Sequence, residues 1–62
     1  MYRVYFVGGS RPDYQHDYSD KTSAIMAARA FVDSNPVSPF TFCEVVSLKS
    51  DGSEDKFLCL IG

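Results

Sequence analysis

The stretch DKTSAIMAARAFVDSN, residues 20–35, decides the fold because it is the one segment that reads as a helix. At 100° per residue, one side of the cylinder is apolar and the other is polar. The apolar side consists of Ala24, Ala27, Ala28, Ile25, Val32 and Phe31. The side chain of Asp20 or Ser19 is suited to cap the first turn. Asn35 ends the run because Pro36 follows it. The pattern predicts an amphipathic helix with a mostly alanine inner side that lies close against a sheet.

The remaining residues predict short strands around this helix. Segments rich in β-branched and aromatic residues, or alternating in polarity, cover residues 1–9, 13–18, 40–49 and 56–61. In the first strand, one face carries Tyr2, Val4 and Phe6, and the other carries Arg3, Tyr5 and Val7. Residues 8–12 are predicted as a turn, and residues 36–39 as a short rigid connection. The strand at 13–18 is the least typical, because Asp and Gln disfavour strands.

The segment between the last two strands, SDGSED, indicates a hairpin with two registers open. A three-residue loop with Gly52 at positive φ sets Cys43 opposite Cys59, Val45 opposite Phe57 and Thr41 opposite Ile61. A two-residue type I′ turn at Asp51 and Gly52 sends the two cysteines to opposite faces. We favour the first, because it gives one wholly apolar face and one mixed face.

These elements predict one α+β domain spanning residues 1–62. Its order is β-β-α-β-β, or β-α-β-β if the strand at 13–18 is absent. The sheet of three to four strands is antiparallel, with the helix packed on one face. Such a two-layer unit leaves the other sheet face open, and Tyr5, Phe42 and Val46 are available to make that face partly apolar. An exposed apolar patch commonly marks a contact surface.

The composition excludes several classes of function. Six basic and eight acidic residues give a net charge of −2, and the basic residues are scattered. Direct nucleic-acid binding is not expected, because phosphate neutralisation needs clustered Lys and Arg. No segment is apolar for long enough to span a membrane, and the N-terminus lacks a signal-peptide pattern. With a strand that starts at Met1, we expect a complete, soluble, cytoplasmic protein.

No set of side chains predicts catalysis. His16 is the only histidine, and on a strand it projects away from Asp13 and Asp17. Cys43 and Cys59 lie in apolar strands without a basic neighbour to stabilise a thiolate, and as facing buried residues they are expected to be reduced. We therefore expect no enzyme activity, no catalytic residue, no metal ion and no cofactor.

Acidic residues gather before the helix, at Asp13, Asp17 and Asp20, and around the second hairpin, at Asp51, Glu54 and Asp55. If both hairpin tips lie on one side, they form an anionic patch that fits a basic protein surface. The predicted partner-binding residues combine these acids with aromatic residues: Tyr5, Asp13, Tyr14, Asp17, Phe42, Asp51, Glu54 and Asp55.

The layout resembles that of small phage-encoded proteins that inhibit host machinery, including several anti-CRISPR proteins. The resemblance rests on the strand from Met1, the alanines of the helix, the hairpin at Asp51 and Gly52, the acidic balance and the lack of a catalytic set. It implies a cytoplasmic inhibitor that occludes a protein partner, such as the nucleic-acid-binding site of a CRISPR effector complex. The alternative is a structural, self-associating domain that forms a homodimer through the open sheet face.

Overall fold

Within residues 1–9, 12–35 and 40–62, which a computed structural model describes, two hairpins flank one helix. The elements are β1 (Tyr2–Val7), β2 (Tyr14–Tyr18), α1 (Lys21–Ser34), β3 (Phe42–Leu48) and β4 (Glu54–Ile61). All neighbouring strands are antiparallel, in the order β2-β1-β3-β4. The α+β class and the β-β-α-β-β order are confirmed, including the strand β2. The predicted connection at 36–39 and residues 10 and 11 of the first turn lie outside the described residues.

Helix α1 packs on the sheet through the predicted side. Ala24 and Ala28 are buried, and the other four residues of that side pack against the core while staying partly exposed. At the C-terminal end, the Asn35 side-chain nitrogen donates to the carbonyl of Phe31 at 2.8 Å. This bond satisfies one of the carbonyls that the end of a helix leaves unpaired.

The predicted side-chain cap at the start of α1 is wrong. Asp20 occupies the N-cap position with extended backbone angles, but its side chain makes no capping hydrogen bond. The contact that begins the helix is instead made by the backbone, where the Ala24 amide donates to the Asp20 carbonyl at 3.3 Å.

The core lies between α1 and the two central strands, β1 and β3. Its buried residues are Val4, Phe6, Ala24, Ala28, Cys43 and Val45. The Sγ atom of Cys43 lies 3.7 Å from the carbonyl oxygen of Ala28, so the helix backbone itself reaches the sheet. Alanine permits this distance because its side chain extends no further than Cβ. Phe31 closes one end of the core, with its ring at 64° to Phe6 and the centroids 5.1 Å apart.

The second hairpin has the three-residue loop that we favoured, but not the strand register that we derived from it. The Lys49 amide donates to the Ser53 carbonyl at 2.7 Å, and Gly52 has φ +88°. Leu48 therefore faces Glu54, as this loop requires. Two irregularities, between Val45 and Val46 and between Val46 and Leu48, then shift the pairing by one residue each.

The predicted pairing of the two cysteines is consequently wrong. The observed partners are Cys43 with Ile61, Val45 with Cys59 and Val46 with Phe57. At one shift, the Lys56 amide donates to Ser47 Oγ at 3.1 Å, so a side chain satisfies a backbone donor there. Each β-bulge inserts an extra residue in β4: the bulge between Leu48 and Val46 moves Phe57 to the face opposite the core, and the next one returns Cys59 and Ile61 to the core face.

Replacing Ala28 with leucine tests the close approach of helix and sheet. We expect Ala28→Leu to lower the free energy of unfolding by about 1–3 kcal/mol, because the buried site has no room for three more carbons. Ala30→Leu, at an exposed position of the same helix, is the control and is expected to change it by less than about 0.5 kcal/mol. Urea denaturation measures both. Equal effects at the two positions would contradict the packing described here.

Candidate protein-binding face

The sheet has one face turned away from α1, here called the uncovered face. Directly opposed residues of antiparallel strands share a face, so the observed pairing defines its members. Rows across the strands contain Asp17, Arg3, Val46 and Phe57, then Gln15, Tyr5, Glu44 and Leu60, and finally Val7 and Phe42. No other described element packs on this face. Among the predicted binding residues, Tyr5, Asp17 and Phe42 therefore lie on it.

A polar cluster occupies the end of the uncovered face nearest the start of β1. Arg3 Nε donates to Asp17 Oδ1 at 2.8 Å, and Arg3 Nη2 donates to Asp17 Oδ2 at 3.2 Å. Glu54 Oε2 lies 3.8 Å from Arg3 Nη1 and accepts a hydrogen bond from the Tyr5 hydroxyl. Glu54 comes from β4, which is not a neighbour of β1, so its side chain reaches across β3. The cluster thus connects three strands.

This cluster explains why Val46 is only 6% exposed on a face without a helix. Val46 lies between Arg3 and Phe57 in its row. The hydrogen bond from the Tyr5 hydroxyl on β1 to Glu54 on β4 crosses β3, the strand that contains Val46. The uncovered face is therefore shielded at this point by its own polar side chains. Its remaining part, towards the C-terminal end of β4, is more exposed.

The exposed side chains that β4 contributes to this face include two large apolar ones. Phe57 is 58% exposed and Leu60 is 61% exposed. Tyr5 and Phe42 are partly exposed. Tyr5 shares a row with Leu60, and Phe42 lies in the neighbouring row. Phe57 and Leu60 were not among the predicted binding residues. Their position depends on the β-bulges, which leave no clear signal in the sequence.

The condition for an anionic patch, that both hairpin tips lie on one side, is not met. Because β1 and β3 are antiparallel neighbours, the β1–β2 tip and the β3–β4 tip lie at opposite ends of the sheet. Asp13 Oδ1 accepts from the Gly8 amide at 3.1 Å in the first tip. Asp51 Oδ1 accepts from the amide and hydroxyl of Ser53 in the second, and these bonds lower the pKa of Asp51. The structure instead brings Asp17 and Glu54 together at Arg3.

The other two predicted residues are separate from the polar cluster. Tyr14 lies on the helix side of the sheet, where its ring stacks on Phe6 with the centroids 4.6 Å apart. It contributes to an open cleft of about 550 Å³ lined by Phe6, Tyr14, Tyr18, Ala27, Ala30, Phe31, Ser34 and Asn35. Asp55 is exposed near the start of β4. Arg3, which the prediction omitted, could have been found as the residue facing Asp17 in a hairpin.

The surroundings of Cys43, His16 and Asp17 show how the candidate reactive groups are placed. Burial raises the pKa of the Cys43 thiol to about 11, so this thiol is protonated at neutral pH. His16 packs its ring edge against Tyr18 at a centroid distance of 4.8 Å. Its neighbour Asp17 is held by Arg3 on the opposite face. In these segments no three His, Cys, Asp or Glu side chains converge as metal ligands would.

Comparison with protein-family models, with curated proteins and with solved structures yields no match for this chain. Across the described ranges, no helix has the length and apolar character needed to cross a membrane.

The bond between Arg3 and Asp17 predicts a pH effect with a defined sign. The hydrogen bond from Arg3 lowers the folded-state pKa of Asp17 below its ordinary value. The bond therefore stabilises the fold above that ordinary value, and the stabilisation disappears as the pH falls through the lowered pKa. In Arg3→Gln we expect the Asp17 pKa, followed by NMR of its carboxyl carbon, to rise towards the ordinary value. The exposed Arg29→Gln is the control. An unchanged Asp17 pKa in Arg3→Gln would contradict this assignment.

Proposed function

We propose that this protein is a non-catalytic inhibitor that docks on a partner protein through the uncovered face and thereby occludes a surface of that partner. The observation that carries the proposal is the pair Phe57 and Leu60, both more than half exposed, beside the partly exposed Tyr5 and Phe42. Large apolar and aromatic side chains at the centre of a contact supply most of its binding energy. A bare sheet face offers them on a rigid support.

The charge of the face supports a basic partner. Its rows contain the carboxylates of Asp17 and Glu44, and Glu54 extends over it, whereas Arg3 is the one guanidinium among them. Arg3 is already paired with Asp17, which leaves Glu44 as a carboxylate beside the apolar patch. Complementary charge speeds encounter and excludes wrong partners. A protein surface that binds nucleic acid has the basic character that fits.

Occlusion requires no chemistry from the chain. An acidic face bound over a basic groove excludes nucleic acid from that groove by occupying it, and the same complementarity makes the contact sensitive to salt. The resemblance to anti-CRISPR proteins makes the nucleic-acid-binding site of a CRISPR effector complex the first partner to test. In this proposal the protein acts at a stoichiometric ratio and in the same compartment as its partner.

Competition experiments on purified CRISPR effector complexes test the proposal. We expect the protein to displace target DNA or RNA from an effector, and displacement to weaken as salt is raised. Glu44→Lys is expected to weaken binding at least about tenfold, because it reverses a charge in the contact. Asp33→Lys changes the net charge equally at an exposed position of α1, and serves as the control. Fluorescence anisotropy of labelled nucleic acid measures both.

Two outcomes would contradict the proposal. Effector complexes whose nucleic-acid binding is unaffected by a large excess of the protein would remove the inhibitory role. Equal losses in Glu44→Lys and Asp33→Lys would show that net charge, and not the uncovered face, determines binding.

A further inference from the structure

The two outer edges of the sheet differ in chemistry. Neither β2 nor β4 has a second neighbouring strand among the described residues. The β2 edge is five residues long and carries Gln15, His16 and Asp17, polar residues of the kind that discourage strand addition. β4 is eight residues long, and its segment 57–61, FLCLI, contains no charge, glycine or proline. This apolar segment lacks the usual protections of an edge strand.

The backbone of this segment has groups directed at the free edge. The Leu48 amide donates to Met1 on the β1 side, and the Lys49 amide donates to Ser53 on the β4 side. Successive residues of a strand direct their N–H and C=O groups to alternate sides. In β3, the backbone groups of Cys43 and Val45 therefore bond towards β4. Their partners Cys59 and Ile61 bond back to β3. The N–H and C=O of Leu60, which lies between them, therefore point away from the sheet.

Apolar side chains flank this edge on both faces. Phe57 and Leu60 are exposed on the uncovered face. Leu58, Cys59 and Ile61 pack against the core on the helix side but stay partly exposed. Helix α1 lies mainly over β1 and β3 and reaches β4 least. A strand added to this edge would therefore gain backbone hydrogen bonds and cover apolar side chains on both of its faces.

We propose that segment 57–61 of β4 pairs antiparallel with the same segment of a second copy of this chain, which joins two sheets into one of eight strands. A two-fold axis within this segment sets apolar residues against apolar residues on both faces, so the surface is self-complementary. The charged residues Glu54, Asp55 and Lys56 lie at the other end of β4, beyond the pairing. The polar β2 edges then stand at both outer limits, and growth stops at the dimer.

The contact is small for a stable dimer. Stable interfaces take roughly 800 Å² from each partner, which would be about a fifth of the 4107 Å² surface of this chain. A five-residue strand pair with its flanking side chains supplies less. We therefore expect a dimer that dissociates in the micromolar range.

Hydrogen exchange of individual amides, measured by NMR on the full chain, tests this pairing. Samples at about 10 µM and about 1 mM lie on either side of the expected dissociation constant. At the higher concentration, we expect sedimentation to report mostly dimer and exchange of the Leu60 amide to slow about fourfold or more, in proportion to the fall in the monomer fraction. The amides of Cys59 and Ile61, bonded within the chain, are internal references that are protected in both samples.

Two matched variants make the test specific. Leu60→Lys places a charge on the edge and is expected to remain monomeric at both concentrations. Met26→Lys changes a residue of similar exposure, 65% against 61%, on the helix and is expected to dimerise like the original chain. Circular dichroism checks that both fold. A monomer at about 1 mM, a dimer with unchanged Leu60 exchange, or dimerisation of Leu60→Lys would each overturn the proposal.

Discussion

The close contact between the alanine side of α1 and the central strands is the constraint on which the rest of the structure depends. Ala24 and Ala28 have no exposed surface, and a thiol of β3 lies within 3.7 Å of the helix backbone. A chain of 62 residues can build only a small core. Because the helix side that faces the sheet is narrow, the core residues pack in one layer between helix and sheet. Val4 and Val45 are fully buried as a result. Among the described residues, the single helix α1 covers one face of the sheet.

The uncovered face of the sheet has a shielded part and an exposed part. At one end, Arg3, Tyr5, Asp17 and Glu54 form a polar layer that shields Val46, so this apolar residue is buried without a helix. On β4, Phe57 and Leu60 are exposed, Phe57 beside Val46 and Leu60 beside Glu44. The proposed partner contact and the proposed strand pairing both use this exposed part of β4. They differ in the atoms involved, since one uses side chains of the face and the other uses the backbone of the β4 edge.

Much of the fold could be predicted because its signals are local. The helix at Lys21–Ser34 follows from apolar spacing, and the loop at Gly52 follows from the positive φ that glycine tolerates. The register of β4 could not be predicted, because its bulges depend on contacts such as the bond from Lys56 to Ser47. A single shifted residue moves a side chain to the other face, and here it moved Phe57 to the uncovered one.

The candidate site was predicted less well than the fold, for a topological reason. The sequence places Asp17 and Glu54 in two separate acidic groups, and their meeting point at Arg3 depends on β1 and β3 being neighbours. Because β1 and β3 are antiparallel neighbours, the two hairpin tips, and with them Asp13 and Asp51, lie at opposite ends of the sheet. Strand order is a long-range property that a composition pattern does not contain.

Relaxation of side-chain methyl groups by a soluble paramagnetic agent, in a dilute sample, measures the two sides of the sheet most directly. We expect weak relaxation for Ala24, Ala28 and Val45 beneath the helix, and weak relaxation for Val46 beneath the polar layer. We expect strong relaxation for Leu60, comparable to that of the exposed Met26 on the outer side of α1. Strong relaxation of Ala28, or a shielded Leu60 in the dilute monomer, would contradict a sheet covered by a helix on one side alone.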